Sequence, residues 1–341
     1  MRLFSAPKLV LFLVLLLPVA GLVALGLGTV FISPSEILHS FITSASAETL
    51  SSQSKSILLD IRLPRILLAL LVGAALASTG VVMQGLFRNP LADPSLIGVS
   101  GGASVGASLM IVSASAVTAS TTGLSLVAMG AFVGGFIATL LVYRVATSNL
   151  GTSVTTMLLA GIAIGALAGA FNGLLSYFSD NQMLRQISVW QMGNLSAANW
   201  TKVSIMSVVV VIFILLLPTH TKALNALLLG ESEARHLGID VQRVKRELIL
   251  LTALGVGVSV AVAGLIGFIG LVIPHVIRLL IGPDHRWLIP ASALGGAFLL
   301  LVADTIARII VLPAELPTGI LTALIGAPFF VALLIHQRRE L

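Results

Sequence analysis

Few side chains in this 341-residue chain have the type and spacing to do chemistry. Asp304 and Arg308 stand four apart, which puts both on one helix face, where they can pair or relay a proton. His275 and Arg278 follow Pro274 in an apolar run. No second histidine or carboxylate stands at close ligand spacing to His275, so packing explains it better than metal binding. Gly98-Val-Ser100-Gly-Gly102 fits the Gly-x-Ser-x-Gly pattern of a nucleophile elbow. That elbow needs a strand-to-helix turn in an α/β sheet. Here the pattern opens an apolar run of helix length, where small residues serve close helix packing. No lysine follows a glycine, so the phosphate-cradling Gly-x-x-x-x-Gly-Lys-Ser/Thr loop is missing and the chain is not expected to hydrolyse ATP itself. There is no His-Glu-x-x-His and no cysteine, so neither zinc-protease nor thiolate chemistry has support. No catalytic residue and no metal site is expected.

The elements that carry these residues follow from composition. Hydrophobic residues make up 57% of the chain and charged residues 9%, against roughly 25% charged in a soluble domain. An all-α integral membrane protein is expected, with 32 glycines available for close helix contacts. The uncharged run after Lys8 is too long for a signal-peptide core and is read as a retained first helix. Apolar runs place spans at about 9–32, 66–87, 95–113, 122–146, 154–178, 203–219, 248–266, 268–282, 287–312 and 316–336. The stretch Leu248–Ile281 is too long for one helix and too short for two full ones; Gly264, Gly267, Gly270 and Pro274 offer places to break it, and one short or broken helix is expected near Pro274.

Charge distribution sets the count. With ten spans and both termini cytoplasmic, only Lys55, Arg62, Arg65, Arg185, Lys202 and Arg308, of 19 lysines and arginines, fall outside. Nine spans would move Arg338 and Arg339 outside as well, so ten fits the positive-inside rule better. The basic balance, net +6, thus belongs to membrane-flanking loops and membrane lipid rather than to nucleic acid. Residues 1–341 read as one transmembrane domain, with a Ser-rich outer loop at 33–60.

Two loops stand out. Gln84 to Pro94 is a tight turn with Pro90 and Pro94 biasing their predecessors away from helix. The stretch His220–Asp240, within a segment of about 220–245, is mixed in charge, helical in composition and punctuated by Gly230 and Gly238. Leu227, Leu228, Leu229 and Leu237 would leave an apolar patch in water, which favours a docking surface for a cytoplasmic partner.

Several ordered motifs resemble the iron-compound and cobalamin permease family of bacterial ABC importers. They include Arg62-Leu-Pro-Arg65, Gly80-Val-Val-Met-Gln84 through Pro94, Gly98 to Gly102, and Leu159-Ala-Gly161. Further matches are Leu229-Gly230-Glu231 through Gly238, Gly267 through Pro274-His275, Asp284-His285-Arg286 and Glu315-Leu-Pro317-Thr-Gly319. The resemblance implies a homodimer of ten-helix subunits with the pathway between them. It also implies two separate ATP-binding subunits, which carry the ATP and Mg, and a periplasmic substrate-binding protein, in the bacterial inner membrane. No cofactor is implied in this chain.

The same resemblance implies residue roles. The segment 226–240 matches the coupling helices, which covers Leu229, Gly230, Glu231, Ser232, Glu233, Ala234, Arg235, Leu237 and Gly238. Arg62, Arg65 and Arg308 match outer arginines that meet carboxylates on the binding protein. Val154, Thr155 and Thr156 fall at the inner gate, although Val154 departs from the small polar residue usual there. The segment Asp180–Ser196 resembles the outer pathway of heme permeases, with Arg185 available to a propionate and Met183 and Met192 as soft contacts. Heme is the cargo this implies, with a ferric siderophore or cobalamin as alternatives. From the residues alone, an ion-coupled secondary transporter is the rival class, and it would rest on Asp304.

Overall fold

A computed structural model of the protein describes residues 4–28, 30, 32–33, 55–113, 121–149 and 151–338. It is a helical bundle. Helix α1 spans Ala6–Gly26, and a π-helical turn at Ile57–Arg62 runs directly into α2, Leu63–Phe87. Then follow α3 (Val99–Ser113), α4 (Thr121–Ala146), the short strands β1 (Thr147–Ser148) and β2 (Gly151–Thr152), α5 (Val154–Tyr177) and α6 (Asn181–Gln191). The rest is α7 (Trp200–Leu229), α8 (Glu231–His236), α9 (Val241–Ala263), α10 (Ile269–Ile281), α11 (His285–Ile309) and α12 (Thr318–Arg338). Among the described residues, seven helices are long and apolar enough to cross a membrane: α1, α2 with its π turn, α4, α5, α7, α9 and α11. Three shorter apolar helices, α3, α10 and α12, lie where the sequence places further spans. Residues 34–54 of the Ser-rich loop lie outside the described residues.

Helix α2 forms the centre, packed on α7, α9, α10 and α11. Glycine makes the closest of these approaches possible. A Cβ on Gly80 would overlap the Gly270 carbonyl of α10, and one on Gly73 would overlap the Gly296 carbonyl of α11. Between α3 and α4, Gly102 meets the Gly134 backbone and Gly106 meets Gly130. Without a hydrophobic drive between helices in lipid, such backbone proximity supplies the dispersion that holds them. The Gly98–Gly102 motif is therefore a packing element. Gly98 (φ 83°) closes a 3-10 turn at Pro94–Ile97, and Gly102 seats α3 on α4.

The Leu248–Ile281 stretch breaks where the expected spans 248–266 and 268–282 part, at the first of its candidate glycines. The break covers Gly264–Phe268, and the short helix that follows it contains Pro274. Gly264 has φ 71° and ψ −165°, a conformation open to glycine alone, and a Cβ there would strike the Trp190 carbonyl. The end of α6 fills the gap, with Asn194 N–H donating to Ala263 O at 2.7 Å. Non-helical backbone is stable at membrane depth when buried in protein this way. Helix α10 runs unbroken through Pro274, which removes the amide that would have bonded to Gly270 O. Buried Gln84 of α2 compensates, its Nε2 lying 3.5 Å from Gly270 O and 3.2 Å from Leu271 O.

Candidate functional site

At one end of the bundle α7 runs past the apolar core and stops at Gly230 (φ 128°), where the chain turns into α8. Ala234 is fully buried and seats α8 on the bundle. Ser232, Glu233, Arg235, His236 and Gly238 face outward, and Glu231 is half-buried. Leu227 is buried, contrary to the expected patch, but Leu228 is exposed and Leu229 and Leu237 are 69% and 65% exposed. The expected patch thus exists in smaller form, on both flanks of α8.

Three residues outside the sequence-derived set tie α8, α9 and the hairpin together. Lys245, on the second turn of α9 and only 2% exposed, places its Nζ 2.6 Å from Glu231 Oε1. The same ammonium donates to Thr152 O at 2.8 Å. Gln242, one turn earlier, accepts from Thr152 N–H at 2.9 Å through Oε1. Thr152 closes a two-residue hairpin, paired with Thr147, that joins α4 to α5. Gly151 (φ 108°) permits this, since a Cβ there would collide with the Gln242 amide. Ser153 then caps α5, accepting from Thr156 N–H at 3.3 Å, and the expected gate residues Val154, Thr155 and Thr156 form the first turn, with Thr155 and Thr156 exposed. Arg235 lies 3.8 Å from Glu231 and is a loose surface pair by comparison.

Asn225, two turns before α8, ties the same end to the α10–α11 loop. Its Nδ2 donates to Asp284 Oδ1 at 2.8 Å, and its Oδ1 accepts from His285 N–H at 2.9 Å. His275 is a packed residue, buried with its ring edge-on to Phe329 at 6.4 Å. Among the described residues no group of three His, Asp or Glu is close enough to hold a metal.

The opposite end carries α6. Asp180 caps it, accepting from Met183 N–H at 2.8 Å. Arg185 is exposed, Met183 half-buried and Met192 exposed. Arg185 lines a cavity of about 430 Å³ together with Trp190, Asn194, Val127, Gly264 and Lys202, a second cation absent from the sequence-derived set.

Arg62, Arg65 and Arg308 do not stand on a surface, which is where the resemblance put them. All three are buried, at 4% exposure each. Arg65 bonds Asp304 and Glu315, the latter at 2.7 Å. Arg62 donates to Leu25 O at 2.6 Å and also to Val30 O. Arg308 reaches Ala24 O at 3.2 Å and Asp304 at 3.5 Å. The physical reason is satisfaction: carbonyls exposed at the end of α1 and the fully buried Asp304 carboxylate need donors, and these guanidiniums supply them. A partner's carboxylate reaches them only by displacing these bonds.

The sequence profile of the FecCD transport family matches residues 15–336. The chain belongs to that family. The hemin transport system permease of Yersinia pestis is 49% identical over 282 residues, 83% of this chain and 84% of that one. The cobalamin import system permease of Halobacterium salinarum is 46% identical over 274 residues, 80% of this chain and 72% of that one. Among solved structures, an inward-facing one described as a metal-chelate type ABC transporter superposes with TM-score 0.84 at 35% identity, covering 97% of this chain and 99% of the other. The PsaBC structure from Streptococcus pneumoniae shares the fold alone, at TM-score 0.56 and 19% identity over 79% of this chain and 89% of that one. FecCD proteins are membrane components of ABC importers, and ATP hydrolysis lies in a separate subunit.

Proposed function

We propose that this FecCD chain is the permease subunit of a bacterial inner-membrane importer driven by two separate ATP-binding subunits, which hold the ATP and Mg. The observation that carries this is α8. It lies between exposed Leu228 and Leu229 on one flank and Leu237 on the other, in a chain that lacks a phosphate loop, while Ala234, Glu231 and Lys245 fix it to the bundle. An apolar patch held rigidly in water fits a docking surface. On this reading the α8 end is cytoplasmic, with both termini, ten crossings and the hairpin on that pattern. A periplasmic binding protein delivers cargo at the α6 end.

The functional unit is a homodimer with the pathway along α5. Helix α5 is the least buried of the seven long spans, and Gly165, Gly169 and Gly173 face open space. ATP-driven closure of the partner subunits moves α8 and biases the pathway between outward and inward access. Heme is the cargo best supported, from the similarity to the hemin permease and from Arg185 and Lys202, two cations suited to carboxylates. The test is uptake into proteoliposomes holding the full complex, with heme, a ferric siderophore and cobalamin in parallel. Heme entering fastest is expected. Preference for another cargo overturns the heme assignment and leaves the importer reading intact.

A further inference from the structure

Lys245 is costly where it stands. A lysine at 2% exposure loses its hydration and needs protein partners in its place. Its two partners come from different parts of the chain: the Glu231 carboxylate on the first residue of α8, and the Thr152 carbonyl on the last residue of the hairpin. The next residue, Ser153, caps α5. A single ammonium group thus joins the docking helix to the residue that precedes the first turn of α5. Gln242 doubles the tie from the same face of α9. The hairpin has only two residues per strand and is too small to hold a position by itself. Its place is dictated by α9 and α8.

We infer that Lys245 is a positioning residue for coupling: it carries displacement of α8 to the hairpin and so to the start of α5. Glu231 belongs to the docking segment, whereas Lys245 and Thr152 are out of a partner's reach and act behind it. The inference rests on the proposed ATP-driven function. The link is two-state in character, because a buried ammonium either keeps both partners or must be rehydrated.

The experiment measures cargo imported per ATP hydrolysed in proteoliposomes of the full complex, together with thermal stability and ATPase-subunit retention. Lys245→Met is expected to lower the ratio about tenfold, within the range of measured site-to-site couplings. Lys245→Arg, which keeps the charge and several donors, should restore most of it. A merely structural role would lower yield or stability and leave the ratio unmoved. An unchanged ratio in assembled Lys245→Met overturns the inference. Should Lys245→Met not assemble, Glu231→Ala decides among complexes that retain the ATPase subunits, a lowered ratio supporting the link and an unchanged one overturning it. If the unmodified complex shows no ATP-dependent uptake, the proposed function fails instead, which separates the two.

Discussion

Arg65 grips Asp304 through three hydrogen bonds, at 2.9, 3.0 and 3.2 Å, across 239 positions of sequence. Thr318 adds a fourth bond to the same carboxylate at 2.9 Å. A carboxylate so fully engaged is a structural pin between α2, α11 and α12. Asp304→Asn is expected to cost about 3 kcal/mol, the scale for removing one member of a buried pair. Thermal unfolding in detergent would show the loss. Uptake by the protein that remains folded should still depend on ATP, whereas an ion relay through Asp304 would lose uptake altogether.

Gln84 offers a smaller, sharper change. Gln84→Leu keeps the volume and removes the donor that lies by Gly270 O, the carbonyl Pro274 leaves without its helical partner, and by Leu271 O. Leaving a buried carbonyl unpaired costs about 1–3 kcal/mol. A lower melting temperature with α10 otherwise intact is the expected result.

Close packing predicts a contrast between glycines. Gly80→Leu forces α2 away from the Gly270 backbone and should abolish monodisperse protein on size exclusion. Gly21→Ala, with nothing within 4 Å, should be tolerated, since alanine is the better helix residue by about 0.5–1 kcal/mol.

At the docking surface, Leu229→Asp with Leu237→Asp should leave folding unchanged, because both side chains are exposed. Retention of the ATPase subunits on affinity purification should fall by at least about tenfold, equivalent to 1.4 kcal/mol. Normal retention would move the docking surface elsewhere.

Glu231 and Arg235 should separate. Glu231→Ala strips the buried Lys245 of its counter-charge, whereas Arg235→Ala removes only a surface pair worth about 0–0.5 kcal/mol. Uptake per ATP is expected to drop in the first and to hold within about twofold in the second.

The long apolar runs made most of the helices legible, and their ends agree with the structure to within a few residues at α4, α5 and α10. Gly264 and Pro274 were both candidate breakers in sequence, and only a tertiary contact, Gln84, shows why α10 tolerates Pro274. The exposed part of α8 was visible as polar sequence in an apolar chain. Lys245 was not, since it lies among Arg243 and Arg246 and reads as one more inner-loop cation. Only the fold shows that it turns inward while its neighbours are exposed. The burial of Arg62, Arg65 and Arg308 was not legible for the related reason that charge alone does not distinguish a surface cation from one satisfying buried carbonyls.

The most direct measurement compares cargo uptake by proteoliposomes containing the permease with and without its ATP-binding subunits, under ATP and under imposed proton or sodium gradients. Uptake only with the ATP-binding subunits and ATP, indifferent to the gradients, is the result expected of this FecCD chain. Gradient-driven uptake by the permease alone would contradict ATP-driven import through α8.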